Sequence, residues 1–135
     1  MLNFKTYFVN KMLNDSTIAG YVGKNIYPAG IDIAPEKFPC ITFFEVGTTI
    51  TAVPRGMNIG ILQVDIWSKN GEIEVENIET RISQLMNFRD SSQDTFTGTL
   101  WWCRKNSVRE NFEQDRKLWN KSVDYRFWAS NVDNL

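Results

Sequence analysis

The chain contains no histidine. That removes the commonest general base and the usual partner of a serine or cysteine nucleophile. Cysteine is almost as scarce, with Cys40 and Cys103 far apart and no CxxC pair. A disulfide framework needs a denser even set, and a zinc site needs four closely placed ligands. Both are therefore read as reduced thiols in an intracellular protein. Cys40 follows Pro39 inside an apolar stretch, where burial raises a thiol pKa and quenches nucleophilicity. The eight glycines show no Walker or dinucleotide spacing. No catalytic residue, metal site or cofactor is expected.

A basic excess is also missing: 15 basic and 16 acidic side chains leave a formal charge of -1. A protein that holds duplex nucleic acid by its phosphates carries a clear surplus of Lys and Arg. Long hydrophobic runs are absent too, since no stretch approaches the roughly 20 apolar residues of a membrane span. The start, Met1-Leu-Asn-Phe-Lys-Thr-Tyr-Phe8, has neither an apolar core nor a small-residue cleavage site. The expectation is a soluble protein made in the cytoplasm, with no membrane partner.

What is present suits one folded domain of 135 residues, 42% hydrophobic and 23% charged. Aromatics make up 13% of the chain, and every tryptophan falls after residue 66. Two short segments stand out, Leu62-Gln-Val-Asp-Ile-Trp67 and Val123-Asp-Tyr-Arg-Phe-Trp128. Each alternates with a period of two, as a strand with one face on a core does. Leu62, Val64 and Ile66 oppose Gln63, Asp65 and Trp67; Val123, Tyr125 and Phe127 oppose Asp124, Arg126 and Trp128. A large aromatic on the second face of each strand meets another protein chain more often than solvent. The alternative is that both tryptophans complete the core of the monomer.

The remaining elements follow in order. Phe4, Tyr7, Phe8 and Met12 recur at helical spacing over residues 2–13. Asp15-Ser16 offers an N-cap for a short helix over 17–22, and Gly23 sits where it stops. Residues 24–37 hold Pro28, Gly30 and Pro35, too interrupted for a regular element. Residues 38–46 read as a strand whose apolar residues do not alternate, so both of its faces are expected to be covered. Residues 47–57 read as a hairpin arm projecting from the body, with Thr49, Ile50, Val53, Arg55 and Met57 as its contact residues. Residues 58–67 form the second strand. Glu72, Glu74, Glu76 and Glu79 load the following helix, with Val75, Ile78, Ile82 and Leu85 as its buried stripe, ending near 87. The glutamates read as a solvated face that favours the helix dipole. Residues 90–98 read as a polar loop, and 100–112 and 117–129 as the last two strands. The predicted fold is α+β: an antiparallel sheet of about four strands, in two hairpins, with helices packed on one face. The single domain divides into N-terminal helices (1–23), a first hairpin (38–67), a helix (72–87) and a second hairpin (99–129).

Asp65 and Asp124 could lie close enough on the sheet to resemble a glycosidase carboxylate pair. Their polar and basic neighbours, such as Arg126, favour structural or inter-subunit salt bridges instead. The run from Trp101-Trp102 through Arg104, Lys105, Arg109, Arg116, Lys117, Lys121 and Arg126 could stack bases and hold phosphates. Glu110, Glu113, Asp115 and Asp124 thread the same strands, which favours cross-strand charge pairing.

Taken in order, Asp15-Ser-Thr-Ile-Ala-Gly-Tyr-Val-Gly23, Asn25-Ile-Tyr-Pro28, Phe38-Pro-Cys-Ile-Thr-Phe43, Leu62-Gln-Val-Asp-Ile-Trp-Ser68 and the segment from Leu118 to Trp128 resemble the siphophage tail terminator, or tail completion, proteins. The resemblance spans about residues 10–129. It departs from the common pattern at Trp101-Trp102, where small residues are usual, and in the long 90–98 loop. It implies a hexameric ring that caps the tail tube, stops its polymerisation and presents a surface to the head connector. It implies no enzymatic activity and no cofactor. The implied partners are further copies of the chain, the tail tube protein and the head completion or connector protein, with DNA only passing through the lumen. The implied place is the head-proximal end of the tail in the virion. Asp65, Trp67, Asp124, Arg126 and Trp128 are the expected subunit or tube contacts. The rival readings are another connector or minor tail subunit, and a nucleic-acid-binding module.

Overall fold

Helix α1 (Phe4–Leu13) forms where four aromatic and sulfur side chains fall on one stripe, and Phe4, Tyr7, Phe8 and Met12 are all buried. Asp15 has extended backbone and caps α2 (Ser16–Val22), accepting a 3.0 Å hydrogen bond from the Ile18 amide. The helix stops at Gly23, whose φ of 59° is unfavourable for a residue with a Cβ. In a computed structural model the chain is described over residues 4–29, 37–51, 57–87 and 99–130. The 90–98 loop and the arm residues Val53 and Arg55 lie outside that range.

The sheet has five strands, not four: β1 (Ile26–Pro28), β2 (Cys40–Thr51), β3 (Met57–Ser68), β4 (Thr99–Glu113) and β5 (Leu118–Ser130), in the order β1-β2-β3-β5-β4. The extra strand lies in the stretch read as irregular, and it pairs parallel to β2 from Ile26↔Ile41 to Pro28↔Phe43. Three residues are too few to show alternation. Pro28 is compatible with the strand because it sits at the last position of an edge. All other pairings are antiparallel. Residues 47–51 and 57–61 are themselves paired, from Gly47↔Ile61 to Thr51↔Met57. This places the backbones of Thr49, Ile50 and Met57 in the ladder.

Helix α3 (Glu72–Met86) lies on the same side of the sheet as α1 and α2. Leu62, Val64, Ile66, Val123, Tyr125, Phe127, Ile41, Phe43 and Cys103 share that side by register and form one core with Ile18, Ile78, Ile82 and the α1 stripe. Phe4 stacks on Phe127 with centroids 3.9 Å apart, and Phe8 packs on Phe43 at 5.6 Å. Each such side chain taken from water contributes about 1.5–3 kcal/mol. Met86, rather than Leu85, is the fully buried residue of the last helical turn, with Leu85 half-buried.

Glu79 corrects the reading of α3's glutamates as a solvated face. It is 5% exposed and accepts a 2.9 Å hydrogen bond from Lys105 Nζ on β4. Ser83 and Tyr125 share a second polar link at 2.8 Å. The expected cover on both faces of β2 holds for Cys40 to Phe43, but Phe44 and Val46 are exposed. A bulge between Glu45 and Gly47 resets the register there.

Asp15 also joins α2 to α3, through Arg81 Nη2 at 2.6 Å and Nε at 3.1 Å. The Arg81 guanidinium holds the Asp15 carboxyl below the usual carboxylate range, aided by the Ile18 and Thr17 amides and opposed by burial. A carboxylate whose folded pKa is lowered stabilises the fold fully above its unfolded value, near about 3.9. That contribution is lost as pH falls through the folded value. Asp15→Ala is expected to cost about 1–2 kcal/mol in urea unfolding at neutral pH, and the difference from wild type should shrink below about pH 4. An unchanged midpoint would remove the cap from the account.

Candidate interaction surface

No described helix covers the other side of the sheet. Register places Thr42 and Phe44 of β2 there, with Gln63, Asp65 and Trp67 of β3 and Asn120, Ser122, Asp124, Arg126 and Trp128 of β5. Trp102, Arg104, Ser107, Arg109 and Asn111 of β4 complete it. Two β4 irregularities, between Leu100 and Trp102 and between Lys105 and Ser107, decide this set. The second swaps the alternation, so that Lys105 meets α3 while Ser107 and Arg109 face away from it.

This side has two distinct parts. Near its middle most of the polar side chains find hydrogen-bond partners within the chain. Asp65 is 8% exposed and accepts hydrogen bonds from Ser122 Oγ and from Gln63 Nε2, the latter at 3.2 Å. Trp67 is half-buried, and its Nε1 donates to Thr42 Oγ1 at 3.1 Å, which ties β3 to β2. Asn120 Nδ2 donates to the Ile66 carbonyl at 3.2 Å. Asp124 accepts from Ser107 Oγ at 2.9 Å, while Arg109 Nη2 approaches its other oxygen at 3.7 Å. That oxygen, Oδ1, is buried without a hydrogen-bond donor among the described residues. Asp65 and Asp124 are diagonal neighbours, since Gln63 pairs with Asp124 and Asp65 with Ser122. Each carboxylate is held by a serine hydroxyl.

Towards the far end of β5 the character changes. Trp128 is 41% exposed and packs on Trp102 across the ladder, with ring centroids 5.7 Å apart. Arg104 and Arg126 form the next cross-strand pair and are both exposed. The Arg104 guanidinium lies 5.8 Å from the Trp102 ring centre. Neither arginine makes a hydrogen bond or ion pair with a described residue. Two like charges placed directly opposite on a sheet destabilise the isolated chain. The sequence named Arg126 and Trp128 as subunit contacts but Trp102 and Arg104 only in the nucleic-acid reading, because the bulge beside Trp102 hides which side it faces.

Trp67 and Trp128 share this side without meeting. Trp67 pairs with Asn120, eight residues before Trp128, which puts them roughly 26 Å apart at 3.3 Å per residue. The other basic residues of the last hairpin are mostly paired: Lys121 with Glu110 at 3.4 Å, Arg116 with Glu113 at 2.8 Å and Lys105 with Glu79. The Arg116 guanidinium lowers the Glu113 carboxyl pKa. Among the described residues no helix is long and apolar enough to cross a membrane, and no three His, Cys, Asp or Glu converge on a metal-sized site.

No protein-family profile matches the chain, and no curated protein matches its sequence. Its fold is similar to that of a chain in the virion of a native gene transfer agent particle. The TM-score is 0.72 over 92% of both chains, at 13% sequence identity.

Both cysteines are fully buried. Burial pushes the Cys40 thiol up to about 12, with Arg116 opposing weakly, and drives Cys103 well above the ordinary thiol range. In the native protein at pH 8, neither is expected to react with a thiol reagent within the time that fully modifies the denatured chain. Rapid labelling of either in the folded state would contradict this burial.

Proposed function

We propose that this chain is a structural virion protein of the tail terminator kind. Its copies form a ring, hexameric by the resemblance, that caps the tail tube, stops its polymerisation and receives the head connector. The observation that carries the reading is the fold shared over nearly the whole length of both chains with a gene transfer agent virion component. The ordered sequence motifs from Asp15 to Trp128 support the same assignment. The action is one of shape and contact, without catalysis or a cofactor. In this reading Arg126 and Trp128, with Arg104 and Trp102 beside them, meet another chain. Asp65, Trp67 and Asp124 hold the sheet beneath that contact. The tail tube protein and the head connector are the partners besides further copies, and the place is the head-proximal end of the tail.

Interface centres are enriched in tryptophan and arginine. Exposed Arg104, Arg126 and Trp128 with half-buried Trp102 beside them, set on a sheet side with no described helix over it, fit that composition.

Electron microscopy of tails assembled without this protein tests the assignment. Loss of a terminator is expected to give overlong, heterogeneous tubes. Tubes of normal length that fail to join heads would overturn the terminator role and indicate a connector.

A further inference from the structure

On the helix side of the sheet, the turn end of the β4–β5 hairpin and the first turns of α3 flank an open pocket of about 290 Å³. Phe112 and Trp119 line it as a tilted pair with centroids 4.7 Å apart. Glu72 and Glu76 from α3 and Glu110 from β4 stand around these rings. Lys121, with a side chain only 10% exposed, lies 3.4 Å from Glu110. The carboxylates of Glu72 and Glu76 are exposed and make no hydrogen bond or ion pair with a described residue. Three carboxylates against one ammonium leave two negative charges beside two aromatic faces.

That combination recognises a guanidinium. The planar cation stacks on an aromatic ring while its N–H groups donate to carboxylates. A small anion would be repelled, and a wholly apolar ligand would leave the carboxylates desolvated and unpaired.

The matching cations lie on the same molecule but out of its own reach. Arg104 and Arg126 sit on the opposite side of the sheet, roughly 17 Å along β5 from Lys121 at 3.3 Å per residue. One copy cannot satisfy itself; a second can. We propose that the Arg104, Arg126 and Trp128 patch of one copy docks into the Glu72, Glu76, Phe112 and Trp119 pocket of the next. The proposal rests on the self-assembling reading above and names the contact through which it would occur. Two positive charges meet two negative ones, and the cost of holding Arg104 opposite Arg126 is relieved on docking. Because the two surfaces differ and lie on opposite sides, the contact is heterologous and repeats head to tail, as ring closure requires.

Charge reversal tests the pairing by sedimentation velocity over a concentration series, alone and with the tail tube protein. One variant carries Arg104→Glu with Arg126→Glu, the other Glu72→Arg with Glu76→Arg. Circular dichroism and thermal unfolding verify that each is folded. The milder Glu72→Gln with Glu76→Gln variant keeps side-chain shape and should show an intermediate loss. Each reversed variant alone is expected to associate at least about tenfold more weakly than wild type. An equimolar mixture is expected to recover assembly, because the acidic patch of one then meets the basic pocket of the other. Wild-type association by either reversed variant alone, or no recovery on mixing, would overturn this docking and leave the ring reading standing. A wild-type chain that stays monomeric in both settings would overturn both.

Discussion

The antiparallel ladder between β3 and β5 is the constraint on which the rest of the molecule depends. It runs unbroken from Met57↔Ser130 to Ser68↔Trp119, at the centre of the sheet and beneath the helices. Its alternation puts Leu62, Val64, Ile66, Val123, Tyr125 and Phe127 on one side in a single apolar layer, and Asp65, Asp124 and Arg126 on the other. A slip of either strand by one residue would turn its three core side chains outward and bring Asp65, or Asp124 and Arg126, to the core side. The register is therefore fixed by burial on one side. The aromatic and basic groups on the other side inherit their positions from it.

Function in this account grows out of the part of the structure that burial leaves free. In the middle of the sheet, polar side chains are consumed internally: Asp65 by Ser122 and Gln63, Trp67 by Thr42, Asp124 by Ser107. At the far end of β5, Arg104 and Arg126 project without a hydrogen bond or ion pair to a described residue, beside an exposed Trp128 that packs on Trp102. The pocket beside α3 has the opposite charge and a similar aromatic content. A subunit with complementary surfaces on its two sides is built to repeat.

Local signals were readable in the sequence wherever one element carried the whole pattern. The α1 stripe, the Asp15 cap, the stop at Gly23 and the alternation of β3 and β5 each depend on neighbours within a few residues. What escaped depends on distant partners. Glu79 looks like one more solvated helix glutamate until Lys105 of β4 arrives beside it. Strand β1 is only three residues long and owes its existence to the edge of β2. Trp67 and Trp128 look equivalent in the chain, yet one bonds across to β2 and the other packs on Trp102. The β4 bulges shift its alternation, so Trp102 and Arg104 could be placed beside Trp128 and Arg126 only through the paired register.

The central claim is that the side of the sheet bearing Trp102 and Trp128 becomes covered when copies assemble. Hydroxyl-radical footprinting of the free chain and of assembled particles, read at those two tryptophans by mass spectrometry, tests it most directly. Trp128 is expected to oxidise readily in the free chain and to be protected in the particle, with Trp102 following it. Equal oxidation of Trp128 in both states would contradict the account.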